Sequence, residues 1–292
     1  MLIKKSILPF LFILLYGSGF VFTQYGLENS SPMAFLAIRF IIAFWILLIL
    51  SVVLKVSWPK NIKEFIHIAI AGSLTVGTFS IGVFLSISYG IDASLSALVI
   101  ALQPILVAVL AWKFLNEERN TKIIFGFLLG FIGVFFVIAQ KIDNIDLSIG
   151  ILYSFLALLG LSIGNIYQKK HCLNMNLFSG GAIQTLASTI LVLPFLYYED
   201  INIVWNRDFI IALLYMSVGV SIGALSLLYI MIKNADVSKV SSIFYLVPLS
   251  AVFISYLLFD AQIDLVTILG IIIVLFAIVL INKKPKNKKG KL

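Results

Sequence analysis

Charge is what this 292-residue sequence has least of: Asp, Glu, Lys and Arg make up 12% of it, against 61% hydrophobic residues. Its mean hydropathy is +1.11. A folded domain in water needs far more charge to cover its surface, so a soluble class is excluded. Cysteine occurs once, at Cys172, which rules out an intramolecular disulfide and any paired-cysteine metal or redox centre. The two histidines, His67 and His171, lie at the ends of apolar runs and share no motif, so neither a metal nor another cofactor is expected. Phosphate-loop, nucleophile-elbow and zinc-protease patterns are missing. No Asp, Glu or His falls in the middle of an apolar run, and without an acid, base or nucleophile at depth no enzyme is expected. The longest polar stretch, around 198–208, is too short for a nucleotide-hydrolysing domain.

What is present is apolar length. Nearly uncharged runs cover 6–26, 33–54, 65–89, 94–114, 122–140, 148–167, 177–197, 209–232, 240–259 and 264–282. Each is close to the ~20 residues that cross a bilayer core as a helix. Barrel strands would be half as long and alternate in polarity. The lengths predict an all-α membrane protein with ten transmembrane helices, whose first partner is the lipid bilayer.

The sparse charges orient these runs. With the N-terminus in the cytoplasm, inner loops and tails collect 18 of the 21 basic residues; only Lys141 and Arg207 lie outside, and Arg39 sits within a span. Basic residues accumulate on the cytoplasmic side of membrane proteins, so both termini are expected there. The net charge of +8 is then a membrane-side bias and not a nucleic-acid surface. The segment 283–292, KKPKNKKGKL, reads as a basic cytoplasmic tail held near anionic lipid. No small-residue cleavage site follows the first run, which Tyr16, Gln24 and Tyr25 interrupt, so it reads as an uncleaved helix.

Five landmarks recur at one offset. Asp92, Ser94, Leu102, Pro104 and Gly126 reappear as Asp236, Ser238, Leu246, Pro248 and Gly270, each 144 residues later. The spacing divides the chain into units of five spans, 1–140 and 148–282. Five is odd, so the second unit crosses the membrane in the opposite sense. Such inverted five-helix repeats are an architecture of secondary transporters, with the substrate near the midplane between halves.

Local sequences carry a resemblance. YGSGFVFTQYGL closing the first span, the loop SSP, and MAFLAIRFIIAFW opening the second are similar to the start of an EamA-type transporter. ASLSALVIALQPILVAVLAWKFLNEERN with FGFLLGFIGVFFVI, and ADVSKVSSIFYLVPLSAVFISYLLFDAQID with ILGIIIVLFAIVLI, resemble the fourth–fifth and ninth–tenth spans of that family. Together they resemble the drug/metabolite transporter superfamily over essentially the whole chain. One departure stands out: the Glu that closes the ninth span in many members is replaced by Asp260-Ala261-Gln262, while Glu117 and Glu118 keep it in the first repeat. The resemblance implies a ten-helix basket that moves small organic solutes, most often exporting amino acids or related metabolites.

Candidate site residues follow from cost in lipid. Arg39 lies about 10 Å of helix rise from the outer end of its span, where a charge must be solvated or paired; it reads as a carboxylate ligand for a zwitterionic substrate, as a side chain snorkelling to the outer interface, or as a structural cap on neighbouring carbonyls. Pro104 and Pro248 each free a carbonyl near mid-span and mark hinge or cavity positions. Tyr16, Gln24, Gln103, Asn165 and Tyr245 are the polar side chains proposed to touch substrate. Gly126, Gly130 and Gly133 form a small-residue face on span five, read as helix packing and as a homodimer contact. A lipophilic-cation antiporter is the rival reading, yet spans 6–26 and 148–167 carry no carboxylate to hold a proton or cation. Uptake of a metabolite such as S-adenosylmethionine or a nucleotide sugar is a further alternative. Reporter fusions at the C-terminus and after Lys170 should read cytoplasm, and one after Asp143 the outside; a cytoplasmic signal at Asp143 would dismantle the inverted topology.

Overall fold

The computed structural model describes residues 2–91, 93–117, 121–138, 149–250, 253 and 265–282. Seven helices in it are long and apolar enough to span a membrane: Ile7–Leu27, Pro32–Val53, Ile62–Ser88, Ser96–Phe114, Ile149–His171, Leu177–Leu196 and Arg207–Asn234. Three shorter apolar helices, Ile123–Phe136, Val237–Ser250 and Leu265–Ile281, complete the set. They are spans one to ten in chain order when the three are placed fifth, ninth and tenth, and the protein is an all-α membrane protein of two repeats.

Local chemistry starts the helices where expected. Pro32 opens span two, where its missing N–H costs nothing. At span three the Asn61 side chain accepts from the Glu64 amide at 2.9 Å, while the Glu64 carboxylate accepts from the Lys60 amide at 2.9 Å. Asn206 caps span eight by accepting from the Phe209 amide at 2.8 Å.

The helices are irregular in matching places. Span three contains a π-helical turn over Ser73–Thr78, and span eight contains one over Tyr215–Ala224. Shifted by 144, the first falls on 217–222, inside the second. Span four is broken: one half-helix, Ala93–Ile100, ends at a turn through Ala101 and Leu102, and a second begins at Gln103. Span nine tightens into a 3₁₀ turn over Ser242–Tyr245 just before Pro248. Pro104 and Pro248 lack the N–H that would continue each ladder, so the proline pair marks discontinuities in both repeats.

Two main packing centres result, beside a minor one of Ile68, Ala71, Cys172 and Ile183. The larger gathers residues of spans one to four and six to nine, with Phe12, Tyr16, Phe35, Phe40, Phe84, Leu161 and Leu228 buried. The smaller joins Ala101 and Ala108 of span four to Phe127 and Val134 of span five, Tyr245 of span nine, and Val274 and Ile281 of span ten. Span ten lies along span five, and both turn large side chains outward, among them Phe125, Ile132, Leu269 and Phe276, as lipid-facing helices do.

The glycine face of span five is filled within the chain. A methyl on Gly126 would lie 2.6 Å from Ile281, one on Gly130 2.6 Å from the Tyr245 ring, and one on Gly133 2.9 Å from the Val274 amide nitrogen. The face read as helix packing meets spans nine and ten of the same chain, at backbone distances that leave no room there for a further helix. Gly133→Leu should cost upwards of about 1–3 kcal/mol through overpacking and reduce the monodisperse peak in detergent size-exclusion several-fold. Gly219→Ala, whose methyl meets only the Tyr215 ring at 3.4 Å, should leave that peak unchanged.

Candidate functional site

A cavity lies where spans one, two, three and eight converge, lined by Tyr16, Phe20, Thr23, Arg39, Thr75, Val76, Phe79, Ser80, Phe84, Met216, Val220 and Leu225 among others. Its free volume is about 40 Å³, room for about three waters. Both π-helical turns contribute to its wall: Thr75 and Val76 from the first repeat, Met216 and Val220 from the second. The site is therefore shared between the repeats.

Arg39 is the charge in this wall. It is 4% exposed; its Nε donates to Ser221 Oγ at 2.9 Å, and its guanidinium sits 5.4 Å from the Phe40 ring centre. Among the described residues no carboxylate pairs with it, the single ion pair being Lys239 with Asp236. Tyr16 packs among Phe12, Phe20, Phe79 and Phe244, and its buried hydroxyl has no partner among the described residues. A cation and an unmet hydroxyl in a chamber lined mostly by apolar and aromatic residues, with Thr23, Thr75 and Ser80 beside them, suit a solute that brings an acceptor and an apolar body.

The other proposed residues separate. Gln24 is exposed, while its neighbour Thr23 lines the cavity and donates to Gly19 O at 2.8 Å; adjacent residues point about 100° apart on a helix. Tyr245 is 0% exposed but belongs to the smaller packing centre, where its hydroxyl donates to Phe127 O at 2.7 Å. Gln103 and Asn165 are buried and do not line the cavity. Around the inner half of span three, Thr75 Oγ1 bonds the Tyr229 hydroxyl at 3.0 Å and Gln184 Nε2 donates to Gln168 Oε1 at 2.9 Å. These bonds serve helix association.

Both ends of the bundle are closed by carboxylates on helix N-termini, where unpaired N–H groups and the helix dipole favour negative charge. At the end expected to face outside, Glu199 accepts from the Met33 and Ala34 amides at 3.0 Å. The Ser31 amide donates to Asn202 O at 2.9 Å, and the Val204 amide to Asn29 O at 2.8 Å. At the opposite end Glu117, closing span four, accepts from the Val237 amide at 2.7 Å and from the Ser238 hydroxyl. Lys169 Nζ donates to Ile232 O at 2.6 Å beside it. Each carboxylate thus ties a helix start to a loop from the other repeat. Nothing in sequence distinguished Glu199 from other loop acids, since its role depends on a helix start 166 residues away.

A two-repeat membrane bundle enclosing a small chamber at the seam of its repeats defines a solute carrier. The model of the EamA-like transporter family matches residues 4–139 and 148–283, one match per repeat, and the chain belongs to that family. Among its relatives, the Bacillus subtilis (strain 168) "Uncharacterized transporter YvbV" is 26% identical over 98% of this chain and 94% of its own length. The Escherichia coli (strain K12) "Probable amino-acid metabolite efflux pump" is 20% identical over 93% and 92%. A crystal structure superposes with a TM-score of 0.80 at 16% identity, covering 96% of both chains, which shows the fold.

The closures make a testable assignment. Cys172 is buried, and burial pushes its thiol up to about 12, so an introduced cysteine reads against a quiet background. Glu199→Gln exchanges charged acceptors for a neutral one, about 1 kcal/mol or more per bond. With Thr23→Cys as the reporter, labelling by a membrane-impermeant thiol reagent from outside should rise several-fold in Glu199→Gln. Unchanged labelling would mean that Glu199 does not hold this end shut.

Proposed function

We propose that this chain is an exporter of amino acids or closely related carboxylates in a bacterial cytoplasmic membrane, multi-pass with both termini inside, working by alternating access between its inverted repeats. The observation that carries the reading is Arg39, a buried cation without an acidic partner among the described residues, in a wall rich in Phe, Val, Leu and Met. Uncompensated charge in a membrane interior is costly. The guanidinium fork holds a carboxylate in two parallel hydrogen bonds, and the aromatic faces of Tyr16, Phe20 and Phe79 give an ammonium group of the same zwitterion a cation–π surface. Aromatic and branched amino acids match this combination. The names of the efflux-pump relatives support the same class and the outward direction.

A chamber of about 40 Å³ is far below the several hundred Å³ of an ordinary ligand pocket, so loading requires one closure to release. The lipophilic-cation alternative fits less well: the described lining carries Arg39 and no acid, and the guanidinium repels a cationic solute.

Comparing metabolites outside cells with and without overexpression tests the reading. An aromatic or branched amino acid should accumulate outside. Arg39→Lys keeps the charge but loses the fork, and should lower export of that solute about tenfold, the equivalent of ~1.4 kcal/mol, at unchanged membrane abundance. Extrusion of ethidium without amino-acid release would overturn the proposal, and so would full activity in Arg39→Ala.

A further inference from the structure

We propose that the break in span four is a binding site for a monovalent cation, Na⁺ by its donor chemistry, formed by Gln103, Ser162, Asn165 and the carbonyl end of the half-helix Ala93–Ile100. The inference starts from unmet hydrogen bonds. Gln103 Oε1 and Nε2, Ser162 Oγ and Asn165 Oδ1 are buried with no partner among the described residues, and the three residues are 0%, 0% and 1% exposed. In lipid or dry protein such groups are expensive to leave empty, and native structures leave few.

Register brings them to one layer. Ser154 Oγ of span six donates to Ser96 Oγ of span four at 3.0 Å, and the two helices run in the same direction through the bundle. Counting seven residues on from that contact along both helices pairs Gln103 of span four with Leu161 and Ser162 of span six, and the half-helix that Gln103 opens packs on span six. Ser154, Leu158, Ser162 and Asn165 follow the i, i+4, i+8, i+11 rhythm of one helix face. Gly160 and Gly164 of span six press on Leu74, Thr75 and Thr78 of span three, which leaves the serine–asparagine face to span four.

The break adds a further oxygen. Pro104 cannot donate to the carbonyl of Ile100, and the end of a half-helix concentrates partial negative charge. At the matching break in span nine the polar side chains have partners: Ser241 Oγ donates to Ser238 O, Ser242 Oγ to Lys239 O and the Tyr245 hydroxyl to Phe127 O of span five, each at 2.7 Å. The polar groups of one discontinuity are met, and those of its symmetry mate are not.

The ligand class follows from the donors. The unmet oxygens, Gln103 Oε1, Ser162 Oγ and Asn165 Oδ1, are neutral, with no carboxylate, imidazole or thiolate beside them in the set. This disfavours divalent and transition metals and suits a hard monovalent ion, while the Gln103 amide nitrogen turns away from it. Unwound carbonyls and half-helix ends coordinate Na⁺ in discontinuous-helix carriers. None of the three side chains lines the Arg39 cavity, so this site stands apart from the proposed solute site. Its donors come from both repeats, so occupancy depends on how the repeats are juxtaposed, and a Na⁺ gradient thereby acts on alternating access.

The test uses the full-length protein in lipid nanodiscs without any solute, so its result is independent of the Arg39 reading. Unfolding temperature is titrated with NaCl against N-methyl-D-glucamine chloride at constant ionic strength, alongside ²²Na⁺ binding. Na⁺ should raise the unfolding temperature saturably and bind at one ion per chain, and Gln103→Leu should abolish both. Asn165→Asp supplies a charged oxygen in the same shape and should lower the half-saturating Na⁺ concentration roughly tenfold, as added ligand charge does at cation sites; this gain keeps the test decisive even where Gln103→Leu folds poorly. Superimposable unfolding curves in the two salts with no ²²Na⁺ bound would overturn the site and leave these groups to buried water. An Asn165→Asp protein that binds no more tightly would overturn it as well.

Discussion

A chain that crosses lipid has to satisfy every backbone N–H and C=O within its own helices or against other protein, and this requirement accounts for where the irregularities fall. Among the described residues, six of the ten spans show no π turn, 3₁₀ turn or break. The departures come in two symmetric pairs, π-helical turns in spans three and eight and discontinuities in spans four and nine. None is placed against lipid alone. The π turns wall the Arg39 chamber, and the discontinuities pack in the interior between the repeats. Repeat symmetry and polar function therefore have a common cause: the distorted helices are the ones that other protein can shield.

The two packing centres divide the mechanical labour. Spans five and ten come from different repeats and are joined by a glycine face with side-chain and backbone contacts too close to slide freely. The chamber and both carboxylate closures lie among the remaining spans. On the alternating-access reading proposed above, the five–ten seam would stay intact as the fixed edge while the opposite part of the bundle opens.

Much of this was legible in the sequence, and the parts that were not share a reason. Apolar run length located all ten spans, and the 144-residue offset revealed the repeats, because both signals are carried by single positions along the chain. Arg39 stood out because a lone charge in an apolar run is conspicuous, and it does line the chamber. Gln24 and Tyr245 show the limit. Polarity flags a residue but not the direction it faces, so Gln24 points out where Thr23 points in, and the Tyr245 hydroxyl is used by the Phe127 carbonyl. The apolar lining, Phe79, Phe84, Met216 and Val220, has no signature against a background of 61% hydrophobic residues. The π turns likewise left no mark, since their residues are ordinary for membrane helices. Glu199 and Glu117 act on amides more than a hundred residues away, and such pairings are set by tertiary structure.

The closure at Glu117 has a consequence for energetics. Inverted repeats exchange roles when a carrier turns from one side to the other, so a perfectly symmetric chain would hold its two open forms at equal free energy. This chain is not symmetric there: 144 residues beyond Glu117 stands Ala261, which has no carboxylate to offer a helix end. Each kilocalorie by which one closure exceeds its counterpart skews the populations about fivefold. On the alternating-access reading proposed above, a glutamate on one side matched by Ala261 on the other would give the carrier a preferred resting face before any solute or ion arrives.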